Sequence, residues 1–266
     1  MRPATALPPV CVLAGGRGTR LGGLTRDVPK PLIPVAGRAF IDWPLLQLRA
    51  AGFDRVVLSI GYHGHQIREH VGSGQQVGLH VDYVDDGPIP LGTLGALRAA
   101  AGCCAETMPV MYADTILTVD FADVVRRHIS AGSVATMTVL ENRQAGDVSN
   151  AVVVDGYVSS YRKVPPPASA TWIDYGFLVF CRDHVQASRD ADLAPFLTRL
   201  AGRRELMAYV VEEPFREVGT PEGLMATDRW LRNGGLHLPP LHRPPSCGPI
   251  CDVPSGGSTG VDPSQR

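Results

Sequence analysis

The sequence predicts an α/β fold: a three-layer α/β/α sandwich around a mostly parallel, Rossmann-like sheet. Three observations predict it. Continuous β-branched and apolar runs recur at residues 10–13, 55–60, 108–112 and 134–140, and helix-length amphipathic segments at 40–51, 64–71, 93–101 and 121–131 separate them. Strands that read apolar throughout are buried on both faces, and helical crossovers of this length join parallel neighbours. The first run is followed at once by a glycine-rich turn, Gly15-Gly16-Arg17-Gly18, at the carboxyl end of a strand where open α/β sheets hold ligands.

Taken in order, the turn after residues 10–13 must bring the chain close to something. Glycine there permits positive φ and close backbone approach. Arg20 and Lys30 follow, the latter between Pro29 and Pro31. Exposed amides with an arginine and a lysine nearby suit a nucleoside triphosphate. The turn is not a dinucleotide fingerprint, because Leu21 stands where the third glycine belongs, and it is not a P-loop, because the chain has no Gly-Lys pair. Further along, the runs at 55–60, 108–112 and 134–140 are core strands. Val110-Met111-Tyr112-Ala113-Asp114 delivers a carboxylate at a strand end, where it serves as a metal ligand or as a helix cap. Gly92-Thr93 opens the helix at 93–101.

The pattern loosens at residues 141–175, read as an inserted β-rich region. Asp155-Gly156 between apolar alternations predicts a hairpin of strands 152–154 and 157–161 with a type I′ turn. Pro165-Pro166-Pro167 is a stiff spacer, and residues 172–180 return to the sheet. No element is assigned over 181–219. Thr220-Pro221 predicts a helix over 220–232, with Thr as N-cap and Pro at the first helical position. The folded unit is placed at 1–233, followed by a tail, 234–266, with seven prolines among the last thirty residues, read as disordered or draped on the surface.

The gross numbers describe a water-soluble globule. The 266 residues carry 44% apolar side chains and a formal net charge of −1. Such a chain buries roughly three-quarters of its unfolded surface. The charge balance gives no field for nucleic acid or a membrane surface, and no apolar stretch reaches membrane-spanning length. With no apolar signal core before the glycine turn, a cytoplasmic location is expected. The six cysteines, Cys103-Cys104 adjacent and Cys247 and Cys251 in the tail, are expected to be free thiols. His63 and His65 flank Gly64 without further ligands and read as a solvated helix start. Of the twenty-five basic residues only Lys30 and Lys163 are lysines, so a compact point charge is wanted at each.

The stretch Leu13-Ala14-Gly15-Gly16-Arg17-Gly18-Thr19-Arg20-Leu21 with Pro29-Lys30-Pro31 closely resembles the signature of the sugar-1-phosphate nucleotidyltransferases. Within that family it leans toward the short forms, similar to the heptose-1-phosphate guanylyltransferases and the glucose-1-phosphate thymidylyl- and cytidylyltransferases. The resemblance implies Mg²⁺-dependent transfer of a nucleoside monophosphate from an NTP to a sugar-1-phosphate, with release of pyrophosphate. It implies that Leu13, Ala14, Gly15, Gly16, Gly18, Thr19, Gly92 and Thr93 bind the nucleotide, while Arg20 and Lys30 act on its phosphates. Lys163 would meet the sugar phosphate, Asn150 and Asp174 the sugar, and Asp114 and Glu217 the metal. Two positions depart from the family: Ala113 replaces the usual Gly before Asp114, and Glu217 replaces an Asp. Open alternatives are a non-sugar (cyclitol or amino-alcohol) phosphate as acceptor, and a silent nucleotide- or sugar-binding regulator. The resemblance leaves the base unassigned and admits a homo-oligomer.

Overall fold

The computed structural model describes residues 6–87, 89–143 and 148–238. In chain order its elements are β1 (Val10–Leu13), β2 (Pro34–Val35), β3 (Arg38–Ala39), α1 (Asp42–Ala50), β4 (Arg55–Ile60), α2 (Gly64–Val71), β5 (His80–Asp85) and α3 (Thr93–Ala100). There follow β6 (Thr107–Tyr112), β7 (Thr115–Ile116), α4 (Phe121–Ala131), β8 (Ala135–Glu141), β9 (Ala151–Val154), β10 (Tyr157–Tyr161) and β11 (Trp172–Cys181). The last are α5 (Arg182–Ala187), α6 (Leu193–Gly202), β12 (Leu206–Val211), β13 (Arg216–Glu217) and α7 (Pro221–Arg232).

Nine strands form one sheet in the order β5-β4-β1-β6-β11-β8-β12-β10-β9. The strands β5, β4, β1 and β6 are parallel, as are β8 and β12. The sheet is nonetheless mixed rather than mostly parallel, because β11 runs antiparallel to both β6 and β8, and β10 to both β12 and β9. A ten-residue apolar run reads the same in either direction, so periodicity could not set its sense. Trp172 on β11 also pairs with Ala151 on β9, so this half of the sheet curls until its edge strand meets β11 again. The expected hairpin is present and extends the main sheet: Asp155 and Gly156 both take positive φ, 49° and 78°, as a type I′ turn requires.

Alternate residues of each central strand face opposite sides, and the side chains sort accordingly. Val10, Val12, Val56, Leu58 and Ile60 pack with α1, α2 and α4, for example against Leu45, Ile67 and Phe121. Cys11, Val57 and Val110 pack on the other face with α3 and α6, against Leu94, Leu97 and Phe196. With both faces covered, the free surface of the parallel half is its strand ends, and that is where a ligand must approach.

The last helix starts as the sequence requires: the Thr220 hydroxyl accepts from the Gly223 amide at 3.1 Å, with Pro221 at the first helical position. Four elements absent from the sequence reading, β5, α5, α6 and β12, complete the sheet and its cover. Residues 239–266 lie outside the described residues, so the expectation for most of the tail, with Cys247 and Cys251, falls there. Cys11, Cys103, Cys104 and Cys181 are free thiols. Among the described residues no helix is long and apolar enough to cross a membrane.

Candidate active site

Two cavities open at the carboxyl ends of the parallel strands. The first, about 370 Å³, is walled by the turn after β1, from Leu13 to Arg20, and by Lys30, Asp86, Gly92, Thr93 and Asp114. The second, about 390 Å³, lies beside it and is lined by Asn150, Lys163, Asp174 and Glu217. Arg20, Tyr112 and Asp114 line both, so the cavities share a wall. Both volumes suit small-molecule ligands.

The glycine turn is held against β4 by backbone bonds. Ala14 donates to Ser59 O at 2.8 Å, and Tyr62 donates to Gly15 O at 3.3 Å. A Cβ on Gly15 would sit 3.3 Å from both Asp86 Oδ2 and the Gly61 nitrogen, so a side chain there would force its neighbours to give by a few tenths of an ångström. Gly18 takes φ 64° and a Cβ on it would press on the Lys30 side chain at 2.9 Å. That close approach seats Lys30 beneath the turn.

Lys30 is only 7% exposed, and its Nζ donates to Asp114 Oδ2 at 2.7 Å across 84 residues of sequence. Asp114 caps no helix, because β7 follows it directly. The antiparallel pair β7·β13 puts Thr115 opposite Glu217, and Val218 N donates to Asp114 O at 3.1 Å. Asp114, in the turn before β7, and Glu217, on β13, the two expected metal-ligating carboxylates, are thereby brought to the same end of this strand pair. Among the described residues no group of three or more His, Cys, Asp or Glu side chains is arranged to hold a metal. A divalent cation held by only two carboxylates would complete its shell with water and ligand oxygens instead of an all-protein cage. Glu217 Oε1 and Arg20 Nη2 each lie about 3 Å from where a Cβ on Gly219 would be, so Gly219 is the gap through which they converge.

Gly92 and Thr93 are fixed by a segment to which the sequence reading gave no role. Gly92 has φ 76°, and a Cβ on it would stand 2.5 Å from Ala191 O. Asp192 Oδ1 accepts from Thr93 N at 3.0 Å and from its hydroxyl at 3.2 Å, and Leu193 N donates back to that hydroxyl at 2.8 Å. The loop before α6 thus clamps the start of α3. Asp192, like Asp86, was missed because its partner is a hundred residues away and no local motif marks it.

In the second cavity, Asp174 accepts from the Tyr161 hydroxyl at 3.0 Å and from Gly176 N at 3.2 Å. The Asn150 side-chain oxygen accepts from Asp174 N at 2.9 Å, so Asn150 holds β11 in place as well as lining the cavity. Lys163 Nζ lies 5.5 Å from the centroid of the Tyr112 ring. The Tyr112 hydroxyl is buried without a hydrogen-bond partner among the described residues. Burial, with Asp174 and Asp114 nearby, pushes its pKa well up, so it stays a neutral donor. His63 and His65 form no metal group: His63 is the N-cap of α2 and its ring nitrogen lies 3.2 Å from Arg26 O.

Residues 10–155 match the model of a protein family described as nucleotidyl transferase. A mannose-1-phosphate guanylyltransferase of Mycobacterium tuberculosis (strain ATCC 25618 / H37Rv) is 31% identical over 240 residues, covering 86% of this chain and 66% of that protein. A UTP–glucose-1-phosphate uridylyltransferase of Synechocystis sp. (strain ATCC 27184 / PCC 6803 / Kazusa) is 27% identical over 201 residues, covering 68% of this chain and 52% of that one. The chain thus spans about two thirds or less of these relatives. Among solved structures, HddC from Yersinia pseudotuberculosis superimposes with a TM-score of 0.73 at 22% identity, over 85% of this chain and all of that one. That likeness is one of fold. The two relatives' names differ in both base and sugar.

Proposed function

Because this chain belongs to the nucleotidyl transferase family, we propose that it transfers a nucleoside monophosphate from an NTP to a sugar-1-phosphate, releasing pyrophosphate. The observation that carries the reading is the shared wall. Two ligand-sized cavities meet at Arg20, Tyr112 and Asp114, with Lys30 behind Asp114, so two anionic substrates in them would face each other across these side chains.

In this reading the triphosphate lies along the backbone of Gly15 to Thr19, whose amides, with no side chain at Gly15, Gly16 and Gly18, favour close contact with phosphate oxygens. Arg20 offers a planar fork to the leaving β- and γ-phosphates. Lys30 is a nearly buried point charge beside the reacting α-phosphorus, where negative charge develops. The acceptor occupies the second cavity, its phosphate near Lys163 and its hydroxyls near Asp174 and Asn150. The buried Tyr112 hydroxyl is a donor that an incoming oxygen would satisfy. Asp114 and Glu217 would hold Mg²⁺, which when bound neutralises the phosphates. With both reactants positioned and their repulsion cancelled, one oxygen of the sugar phosphate attacks the α-phosphorus in line and pyrophosphate departs. We place this unit at residues 1–233, a three-layer sandwich whose 141–175 segment supplies the sugar-binding part.

The test is pyrophosphate release with Mg²⁺, crossing the common NTPs against hexose- and heptose-1-phosphates and cyclitol phosphates. Release should require one NTP and one acceptor. It should fall on the order of 10²–10³-fold in Lys30→Ala and in Asp114→Asn. Nucleotide binding with silence across the acceptor panel would replace this reading with that of a binding regulator.

A further inference from the structure

Neither cavity is lined by a cysteine, yet two of the chain's thiols are hydrogen-bonded to each other inside the fold. Cys11, on β1, is 0% exposed and lies in the cluster of Leu94, Leu97, Ala100 and Cys104 on the α3 face of the sheet. Cys104 follows α3 through a single 3₁₀ turn, Ala101–Cys103, and precedes β6, at the opposite end of that strand from Asp114. The Cys11 thiol donates and the Cys104 sulfur accepts.

Cys104 is the reactive member of the pair. It is 7% exposed and Cys103 beside it is exposed, so the turn lies at the surface, within reach of a small oxidant. Arg182, at the start of α5, is tied to the same segment, its backbone N donating to Glu106 O at 2.8 Å. Its Nε is buried with no hydrogen-bond partner among the described residues, an unmet donor that negative charge nearby would ease. The Cys11 hydrogen bond lowers the Cys104 pKa against the opposing burial, and the Arg182 and Arg55 charges lower it further. Cys11, donating to Cys104 and fully buried, is pushed well up and keeps its proton. A thiolate within reach of solvent, with a thiol behind it, has the two parts that stepwise oxidation to a disulfide needs.

We propose that hydrogen peroxide converts Cys104 and Cys11 into a reversible disulfide, and that this bond shifts α3 and loosens its start at the first cavity. The Cys104 sulfur attacks one peroxide oxygen. The O–O bond breaks, and hydroxide leaves and takes a proton from solvent to become water. Cys104 is then a sulfenic acid. The Cys11 sulfur next attacks the Cys104 sulfur: the S–S bond forms, the S–O bond breaks, and the Cys11 proton departs with the hydroxide as a second water. The two sulfurs together lose two electrons and the peroxide gains them. A dithiol such as dithiothreitol reverses the bond by exchange.

The mechanical effect follows from what can move. β1 is pinned between β4 and β6, with Cys11 opposite Val57 and Val110. Drawing two sulfurs from contact to a covalent bond must therefore move Cys104, and with it α3, which leads into the turn. A short helix carries such a displacement to its other end. There Leu94 N and Gly95 N donate to Ala191 O at 2.9 and 3.0 Å, and Gly92 and Thr93 line the first cavity. The disulfide stands apart from the transferase reading; only its effect on nucleotide rests on that reading.

Peptide mapping of the full chain, treated with hydrogen peroxide and then alkylated in denaturant without reductant, reads the bond directly. A cross-linked pair of peptides carrying Cys11 and Cys104 should appear, vanish with dithiothreitol, persist in Cys103→Ser and be absent from Cys104→Ser. Hydrogen exchange on the same samples should show the Leu94 and Gly95 amides opening roughly tenfold more often in the oxidised chain. Oxidation confined to Cys103, or a disulfide only between Cys247 and Cys251, overturns the proposal. Unchanged exchange at Leu94 and Gly95 once the bond has formed overturns its link to the cavity. If Cys104→Ser fails to fold, the maps of the unsubstituted chain and of Cys103→Ser still decide. Calorimetry with ATP, CTP, GTP, UTP and dTTP separates this inference from the transferase reading. A triphosphate that binds the reduced chain should bind the oxidised chain roughly threefold more weakly or worse. Silence of every triphosphate toward the reduced chain would sink the nucleotide reading, while the peptide map would still uphold the disulfide.

Discussion

His128 shows how a single side chain sets a pH limit on this fold. It sits in the last turn of α4, where the helix dipole would favour a positive imidazole, yet it is 3% exposed and its Nδ1 lies 2.9 Å from the Thr136 hydroxyl. Burial wins and lowers its pKa from 6.5 to about 4. The folded state therefore holds a neutral ring while the unfolded chain takes up a proton. Stability from this group is full above the unfolded value and is lost as pH falls from about 6.5 toward about 4. The loss should amount to roughly 3 kcal/mol. Urea melts of the unsubstituted chain and His128→Gln should diverge across that window, the variant losing less. Parallel curves would mean the ring is protonated in the fold. The side chains proposed to act on the phosphates and the metal were easier to read than this one. Arg20, Lys30 and Asp114 stand in short motifs whose chemistry is local, whereas the Lys30–Asp114 contact, and the places of Asp86 and Asp192, are made only when strands distant in sequence come together.

At the scale of an element, the start of α3 is the most constrained piece of the site. Gly92 satisfies two demands at once, a φ of 76° and the absence of any atom where Ala191 O approaches. Gly92→Ala meets both penalties and should cost about 2–4 kcal/mol, with nucleotide affinity falling at least tenfold because Thr93 moves with it. Gly16 is the contrast. Nothing lies within 4 Å of a Cβ there, so Gly16→Ala should leave the unfolding free energy within about 0.5 kcal/mol. A drop in both variants, or in neither, would show that the two glycines are not kept for different reasons. Elements with their own punctuation were legible: the Asp155-Gly156 hairpin and the Thr220-Pro221 helix start needed no tertiary information. α6 was hidden by Pro195, which a first helical turn tolerates but which reads as a breaker, and β5 by alternating polar residues too short a run to stand out.

Across the whole molecule, the first cavity is built from pieces that lie far apart in the sequence. The glycine turn follows β1, Gly92 and Thr93 open α3, Asp192 precedes α6, and Gly219 leads into α7. The parallel half of the sheet makes this convergence possible, because β1, β4 and β6 all point their carboxyl ends at the same place. The antiparallel return of β11 between β6 and β8 carries Asp174 to the adjacent cavity. A nucleotide that touches all of these loops ties together parts that the apolar clusters hold only from within. It binds the folded state alone, so at a hundred times its dissociation constant it should stabilise the fold by about 2.7 kcal/mol. For a chain of this size that raises the unfolding midpoint by roughly 5–10 °C. Differential scanning calorimetry with and without a saturating nucleoside triphosphate, no acceptor present, measures the shift directly. Lys30→Ala should show a much smaller shift at the same concentration, since its nucleotide sits far below saturation. A midpoint that ignores every triphosphate would mean that these loops, however well converged, do not form a nucleotide site.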